Sequence, residues 1–408
     1  MSNAKPAAST TTSTSKPSAS TTASGLDNVI FAETAISDVD GERGRLIIAG
    51  ADVEQLAAAS TFEDAVARVL LAGGAPSERV GRSSDIRTAL GQARALAWEA
   101  IEQNRLGDAL DAPDGMDALR ASLAHLRAAR TDDSAFDDFA DAIAAIGAAP
   151  VFVAAWSRKR AGAAPIAPDT TAGHAADYLR MTTGGAHASR AGATSGASLA
   201  TGGAPGSVDA ASVRGLDAYL TTVIDHGMNA STFTARVVTS TASDLISAVV
   251  AAVGALKGPL HGGAPGPVLD MLDAIGEPSR AEAWLLAELA SGRRIMGMGH
   301  RIYRVRDPRA AVLENAVKPL ASKRLELARA VEQAAAKILA ERKPDRPLAA
   351  NVEFYTAVLL DAVGLPREQF APTFGVGRIA GWCAHVLEQR RVGRLVRPSS
   401  RYVGPMPG

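Results

Sequence analysis

From Asp52 onward the apolar residues of this chain recur every three or four positions, a spacing that puts them on one stripe of a helix rather than one face of a strand. Val53–Ala59 and Phe62–Leu71 carry it first, opened by Asp52 and Thr61, side chains suited to N-capping. The same period predicts helices over Ser83–Asn104, Met116–Arg130, Asp132–Ile146 and Val151–Arg160, and the apolar runs Ala148–Trp156 and Leu245–Leu256 read as core helices. Strand signal is confined to the start, where the β-rich runs Val29–Ile36 and Arg45–Ile48 flank the turn pair Asp40-Gly41. The expected fold class is therefore all-α with a short N-terminal β-hairpin.

With 408 residues, 47% of them hydrophobic, the chain can bury one large or two moderate cores. Lys plus Arg and Asp plus Glu both count 43, so no global basic field points to nucleic acid or an anionic membrane, and an anionic ligand must be held locally. The single cysteine, Cys383, excludes an intramolecular disulfide and a cysteine-based metal site, and fits a reducing, cytoplasmic setting. No uninterrupted apolar run reaches the roughly 18–20 residues that span a bilayer. Met1–Ser24, almost entirely Ser, Thr, Ala and Pro, is expected to be a disordered tail without a targeting signal. Thr182–Ser212, rich in Gly, Ala, Ser and Thr, is expected to be a mobile surface loop containing a solvated His187. His125, His174 and His385 fall on helical stretches and read as structural or exposed.

Three of the seven histidines stand in glycine-rich bends: Lys257-Gly258-Pro259-Leu260-His261-Gly262-Gly263, Asp225-His226-Gly227 and Gly297-Met298-Gly299-His300. Glycine beside a polar side chain lets backbone come close to a ligand, so the three bends suggest one site assembled from distant segments. None shows the close pairing of a metal-binding helix, and no metal is expected. A helix starting at Asn351 and stopping at Gly364-Leu365-Pro366 places Glu353 in its first turn, where the helix dipole favours an anionic carboxylate. By position alone Glu353 reads first as a dipole partner and only second as a functional acid.

The segments DHGMNASTF, GPLHGGA, GMGHRIYRVRDPRA, NVEFYTAVLL, GRIAGWCAHVLEQ and RLVRP, in that order, resemble the citrate synthase family, and AETAISDVDGERGRLIIAG resembles its opening strands. The resemblance covers nearly all of Gly25 to Pro405. It implies a two-domain helical fold, with a large domain of residues 25–258 and 367–408, a small domain of 259–366, and the active site in the cleft between them. The implied reaction condenses acetyl-CoA with oxaloacetate and hydrolyses citryl-CoA to citrate and CoA. Glu353 would take the α-proton, His261 would hydrogen-bond the thioester oxygen, and His300 would polarise the keto carbonyl. Arg309, Arg378 and Arg397, with His226, would hold the two carboxylates. Arg397 would reach the neighbouring subunit's site in a homodimer. Arg301, Arg304 and Arg306, with Lys257, would meet the phosphates of CoA, which serves as co-substrate; no cofactor is expected to be permanently bound.

Two positions depart from the family pattern. The family's usual base is an aspartate, one methylene shorter than Glu353, and Gly227 stands where an acidic residue is usual. Two alternatives stay open: a 2-methylcitrate synthase using propionyl-CoA, since one methylene is worth only about 1–3 kcal/mol of discrimination, and a catalytically silent homologue that binds CoA or a dicarboxylate.

Overall fold

The structure, a computed structural model, describes residues 26, 29–131, 135–185, 208–261, 265–342 and 348–407. The chain divides into two units, Met1–Thr34 and Ala35–Gly408. In the first, the described backbone makes a turn in which the Val29 N–H donates to the Leu26 carbonyl at 3.1 Å. The expected tail, Met1–Ser24, lies outside the described residues.

The second unit opens with an antiparallel sheet of β1 (Ser37–Asp40), β2 (Arg45–Ile48) and β3 (Ala51–Asp52), in that order. The hairpin is present, but its first strand begins at Ser37 rather than Val29. The Asp40 carboxylate accepts the Glu42 and Arg43 N–H groups at 3.1 and 2.9 Å and sets the turn, and with Asp40 opposite Arg45 the short β2 reaches back only to Ser37.

Helices follow: α1 (Val53–Ala59), α2 (Phe62–Gly73), α3 (Ser77–Val80), α4 (Ser83–Glu102), α5 (Gly115–Ala124), α6 (Asp138–Arg160), α7 (His174–Thr183) and α8 (Ala210–Val223). The second half supplies α9 (Ala230–Ser240), α10 (Leu245–Leu256), α11 (Pro265–Ile275), α12 (Ala281–Ala290), α13 (Pro308–Val317), α14 (Arg324–Arg342), α15 (Val352–Ala362) and α16 (Phe370–Val392). The fold is all-α apart from the small sheet. Around α16, buried along nearly its whole length, pack α2, α5, α6, α8, α9 and α10. Helices α13 and α15 pack on α8 and on each other, and α11 and α14 pack on α15.

Three expectations shift. Met116–Arg130 stops being helix at Ala124, because Ala129 turns back to Asp141 at 2.6 Å and Arg130 bridges Phe136; residues 132–134 of the next expected helix lie outside the described residues, and the helix itself begins at Asp138, capped by Asp137. That helix runs through Pro150 into the segment expected as a separate helix, packed on α4, α5, α7 and α16. At 23 residues and mean hydropathy 1.7, α6 is long and apolar enough to cross a membrane by length and composition, yet 83% of that window is buried inside the protein, as in a core helix. Finally, the edges of the expected 182–212 loop are helical, α7 running through Thr183 and α8 starting at Ala210; residues 186–207, with His187, lie outside the described residues.

Candidate active site

The bend carrying His226 follows α8 and is pressed against α16. A Cβ on Gly381 would lie 2.1 Å from the Ile224 carbonyl oxygen, so glycine is what lets the chain pass there and turn into Asp225 and His226. Asp225 is buried and holds the bend: its carboxylate accepts from Ser37 Oγ and, at 3.1 Å, from the Gly227 N–H, and lies 3.3 Å from His385 Nε2. The other His385 ring nitrogen faces the Arg236 guanidinium at 3.1 Å, and since arginine only donates, Nδ1 accepts and Nε2 carries the proton toward Asp225. His226 Nε2 lies 3.1 Å from the Tyr303 hydroxyl, and its ring stands edge-on to that of His300 with centroids 5.4 Å apart.

His300 and Glu353 are placed by one short backbone pairing. Met298 bridges Ala350, the Gly299 N–H donates to the Ala349 carbonyl at 2.7 Å, and the Asn351 N–H donates to the Gly297 carbonyl at 2.9 Å. Asn351 then caps α15, accepting the Glu353 N–H at 3.0 Å. Gly297 has φ +72 and a Cβ there would meet Phe354 at 2.9 Å, so the pairing needs glycine. Asp307 ties the same segments together. Its carboxylate caps α13 through the Arg309 N–H at 3.0 Å, accepts the Val352 N–H at 3.2 Å, and pairs with the Arg309 guanidinium at 2.8 Å.

Hydrogen bonding assigns both outer imidazoles. His300 Nδ1 accepts the Ile302 and Tyr303 N–H groups at 3.1 and 3.2 Å, which leaves the proton of the neutral ring on Nε2. Arg309 Nη2 lies 3.4 Å from that Nε2, so two donors converge where an anionic or carbonyl oxygen would satisfy both. His261 Nε2 accepts the Ser231 N–H at 3.3 Å and lies 2.8 Å from Ser231 Oγ, which the Trp382 indole also approaches at 3.2 Å. The neutral ring therefore carries its proton on Nδ1.

Burial sets the protonation states. His261 and His300 are each held down at about 4, by desolvation first and then by the cationic Arg378 and Arg309 respectively. His226 is lowered well below its ordinary range by burial, with Arg309, His300, Arg378 and His261 adding to the effect. All three are neutral donors at pH 7. Glu353 moves the other way, up to about 7, because burial outweighs the attraction of Arg309 and Arg378, and Asp307 adds repulsion. One of its oxygens, Oε2, is shielded and without a hydrogen-bond partner. Arg378 is fully buried, donates from Nε to the Val223 carbonyl at 2.5 Å, has Nη2 unpartnered, and is lowered to about 10 by desolvation. A buried, unmatched guanidinium is a site for an anion.

The structure thus brings together His226, His261, His300, Arg309, Glu353 and Arg378. It does not bring in all of the expected phosphate ligands. Arg306 is paired with Glu332 at 2.7 Å and Glu314 at 2.8 Å and lies over the Tyr355 ring, so its guanidinium already has anionic partners in this structure. Lys257 caps α10 and pairs with Asp117, an exposed pair worth only about 0–1 kcal/mol. Arg301 and Arg304 are exposed on the bend after His300, with Arg304 3.9 Å from Glu42. Arg397 is exposed and has no hydrogen bond or ion pair with the described residues. Sequence reasoning missed Asp307, Ser231, Tyr303 and the pair Asp225 and His385. The signal for Asp307 was present, an Asp before Pro at a helix start.

The sequence profile described as "Citrate synthase, C-terminal domain" matches residues 25–399. A Mycobacterium tuberculosis protein bearing the name citrate synthase 2 is 51% identical over 202 residues, 50% of this chain and 54% of that protein, so the chain spans about half the length of this relative. Citrate synthase of Deinococcus radiodurans is 34% identical over 94% of this chain and 96% of its own length. The 2-methylcitrate synthase of Mycobacterium tuberculosis is 34% identical over 93% and 90%. Among solved structures, citrate synthase of Thermotoga maritima superposes with a TM-score of 0.74 at 31% identity, covering 94% of this chain and 96% of that one. With the profile spanning so much of the sequence and full-length relatives agreeing in sequence and in fold, the chain belongs to the citrate synthase family.

Proposed function

We propose that this protein condenses acetyl-CoA with oxaloacetate and hydrolyses the resulting citryl-CoA to citrate and CoA. The observation that carries the reading is a shielded carboxylate, Glu353, set among two buried guanidiniums and histidines kept neutral. Glu353 takes a proton from the acetyl methyl, and His261, whose Nε2 is held by Ser231, donates from Nδ1–H to the thioester oxygen as negative charge develops there. The enolate carbon attacks the keto carbon of oxaloacetate, whose oxygen lies between the His300 Nε2–H and Arg309. Water then cleaves the thioester. Arg309, Arg378 and His226 hold the oxaloacetate carboxylates, with Arg397 supplied across a homodimer. Arg301 and Arg304 face the CoA phosphates. Residues 259–366 act as the small domain, which closes on oxaloacetate before acetyl-CoA binds well. A ternary complex of the citrate synthase from the archaeon Thermoplasma acidophilum with carboxymethyl coenzyme A and oxaloacetate, 26% identical with a TM-score of 0.75, supports this substrate pair. The protein works in the cytoplasm.

A second reading, propionyl-CoA as the acyl donor, is favoured by the equal 34% identity to the 2-methylcitrate synthase. One assay tests both: thiol release from acetyl-CoA and propionyl-CoA, each with and without oxaloacetate. Oxaloacetate-dependent release is expected, with the higher kcat/KM for acetyl-CoA. A higher value for propionyl-CoA transfers the assignment to the second reading, and no dependence on oxaloacetate overturns both.

A further inference from the structure

Two buried polar atoms in the middle of the molecule lack a close partner, and they are complementary. Tyr219 is 0% exposed and its hydroxyl makes no hydrogen bond of ordinary length, only a looser approach to the Thr356 side chain, and Glu353 Oε2 has no partner among the described residues. The packing of α8 on α15 puts them near one another. A Cβ at Gly215 would touch Leu359 Cδ1 and Val363 Cγ1, each at 3.3 Å, so α8 runs against the second half of α15 there. One helical turn on from Gly215 is Tyr219, and one turn back from Leu359 lie Tyr355 and Thr356. The phenol therefore reaches the level of Thr356, one turn from Glu353, and Tyr219 and Glu353 feel each other's charge. Thr356 spends its hydroxyl proton on the Val352 carbonyl at 2.9 Å, which leaves the tyrosine as the proton donor of the group.

We propose that Tyr219 is a positioning residue for Glu353, donating its phenolic O–H to Oε2 in the substrate-bound state so that the other carboxylate oxygen is aimed at the acyl-CoA α-proton. This rests on the reading of Glu353 as the base. The physical need is specific to a glutamate, which has one more rotatable bond than an aspartate and so more rotamers to freeze before a proton can be taken. A donor fixed on a rigid helix selects one of them. Catalytic hydrogen bonds are commonly long in the unliganded enzyme and tighten in the complex, which accounts for a phenol that here approaches Thr356 and for a Glu353 Oε2 still unpaired.

Tyr219→Phe keeps the ring and its packing and removes only the hydroxyl. Around Glu353 the charged groups are Arg309 and Asp307 at the start of α13, Arg378 on α16 and Tyr219 on α8; Arg378 and Tyr178 face Tyr219. With both arginines unchanged, losing an O–H that favours the carboxylate raises the pH at which Glu353 becomes a base. The expected result is a fall in kcat of about tenfold, a KM for oxaloacetate within about twofold of wild type, and an acid limb moved up by on the order of half to one pH unit. Replacing Tyr219 with 3-fluorotyrosine, a stronger donor of nearly the same size, should move that limb down, and this variant keeps the test intact if the Phe protein does not fold. An acid limb unmoved in both variants overturns the proposal. A second arm needs no turnover: thermal melts at pH 8, with oxaloacetate and the unreactive carboxymethyl coenzyme A both present, of Tyr219→Phe in the wild-type and Glu353→Leu backgrounds. The Phe substitution should lower Tm only where the carboxylate is present, and equal effects in the two backgrounds overturn the contact. If thiol release never requires oxaloacetate, the proposed function fails while this arm still reports on the pair.

Discussion

Glu353 combines three properties: a first-turn position at the positive end of α15, a shielded oxygen, and protonation near neutrality. Because burial raises its pKa from the usual carboxylate value to about 7, the folded protein holds a proton that the unfolded chain has released between about pH 4.5 and 7. Its burial therefore costs nothing below that window, and the cost is fully present above it. Glu353→Gln is expected to melt higher than wild type at pH 8 and level with it below pH 4.5, while kcat falls by about 10²–10⁴ for loss of a general base. Differential scanning calorimetry at the two pH values and steady-state kinetics check the pair; wild-type activity in the Gln protein would reduce Glu353 to a dipole partner. Glu353→Asp shortens the reach by about 1.5 Å, and misplacement on that order costs about a hundredfold in rate. An Asp variant as fast as wild type would mean that the site is not built around the longer side chain. The position of Glu353 was legible from the cap and the helix period, but its protonation was not, since that depends first on burial and then on Arg309, Asp307 and Arg378 arriving from two other helices. The pairing of Arg306 with Glu314 and Glu332 was hidden for the same reason, because both carboxylates reach it only through folding.

At the scale of elements, α16 is the scaffold. It is buried nearly throughout, so its glycines and small residues allow neighbouring backbone to come close, and the bend after α8 uses Gly381 for that purpose. Gly381→Ala would place a methyl group 2.1 Å from the Ile224 carbonyl and 2.9 Å from Asp225 Oδ1. The bend must retreat, with a stability loss of about 1–3 kcal/mol, and His226 moves with it. The expected outcome is a lower Tm together with a KM for oxaloacetate raised severalfold, measured on the same preparation; an unchanged KM would detach this bend from substrate binding. The hairpin of β1 and β2 braces the two histidine bends from the opposite side, through Ser37 to Asp225 and through the Arg304 N–H to the Gly41 carbonyl at 2.9 Å. Its existence was readable from Asp40-Gly41. Its extent was not, because register and the length of β2 decided where β1 starts.

At the scale of the whole molecule, six of the expected site residues meet within one chain and Arg397 stands apart, exposed on the C-terminal extension. A second subunit that completes the site predicts a simple complementation. Arg397→Ala and Glu353→Ala proteins should each be nearly inactive, and mixtures allowed to exchange subunits should regain activity in the mixed dimers that keep one intact site. Absence of recovery, with exchange verified by mass-tagged subunits, would place Arg397 in its own subunit's site or outside catalysis.

The sequence by itself determined the helical class, the motif order, the caps of α2 and α15, and the short list of histidines and arginines, because helical period, capping and glycine bends are local properties written within a few residues of one another. Only the tertiary structure decided which charges are spent on partners, which imidazole nitrogens carry protons and which carboxylate is left shielded and unpaired. Those outcomes depend on desolvation and on groups far apart in the chain, as with Asp225 and His385, or Asp307 and Val352, which no local pattern joins.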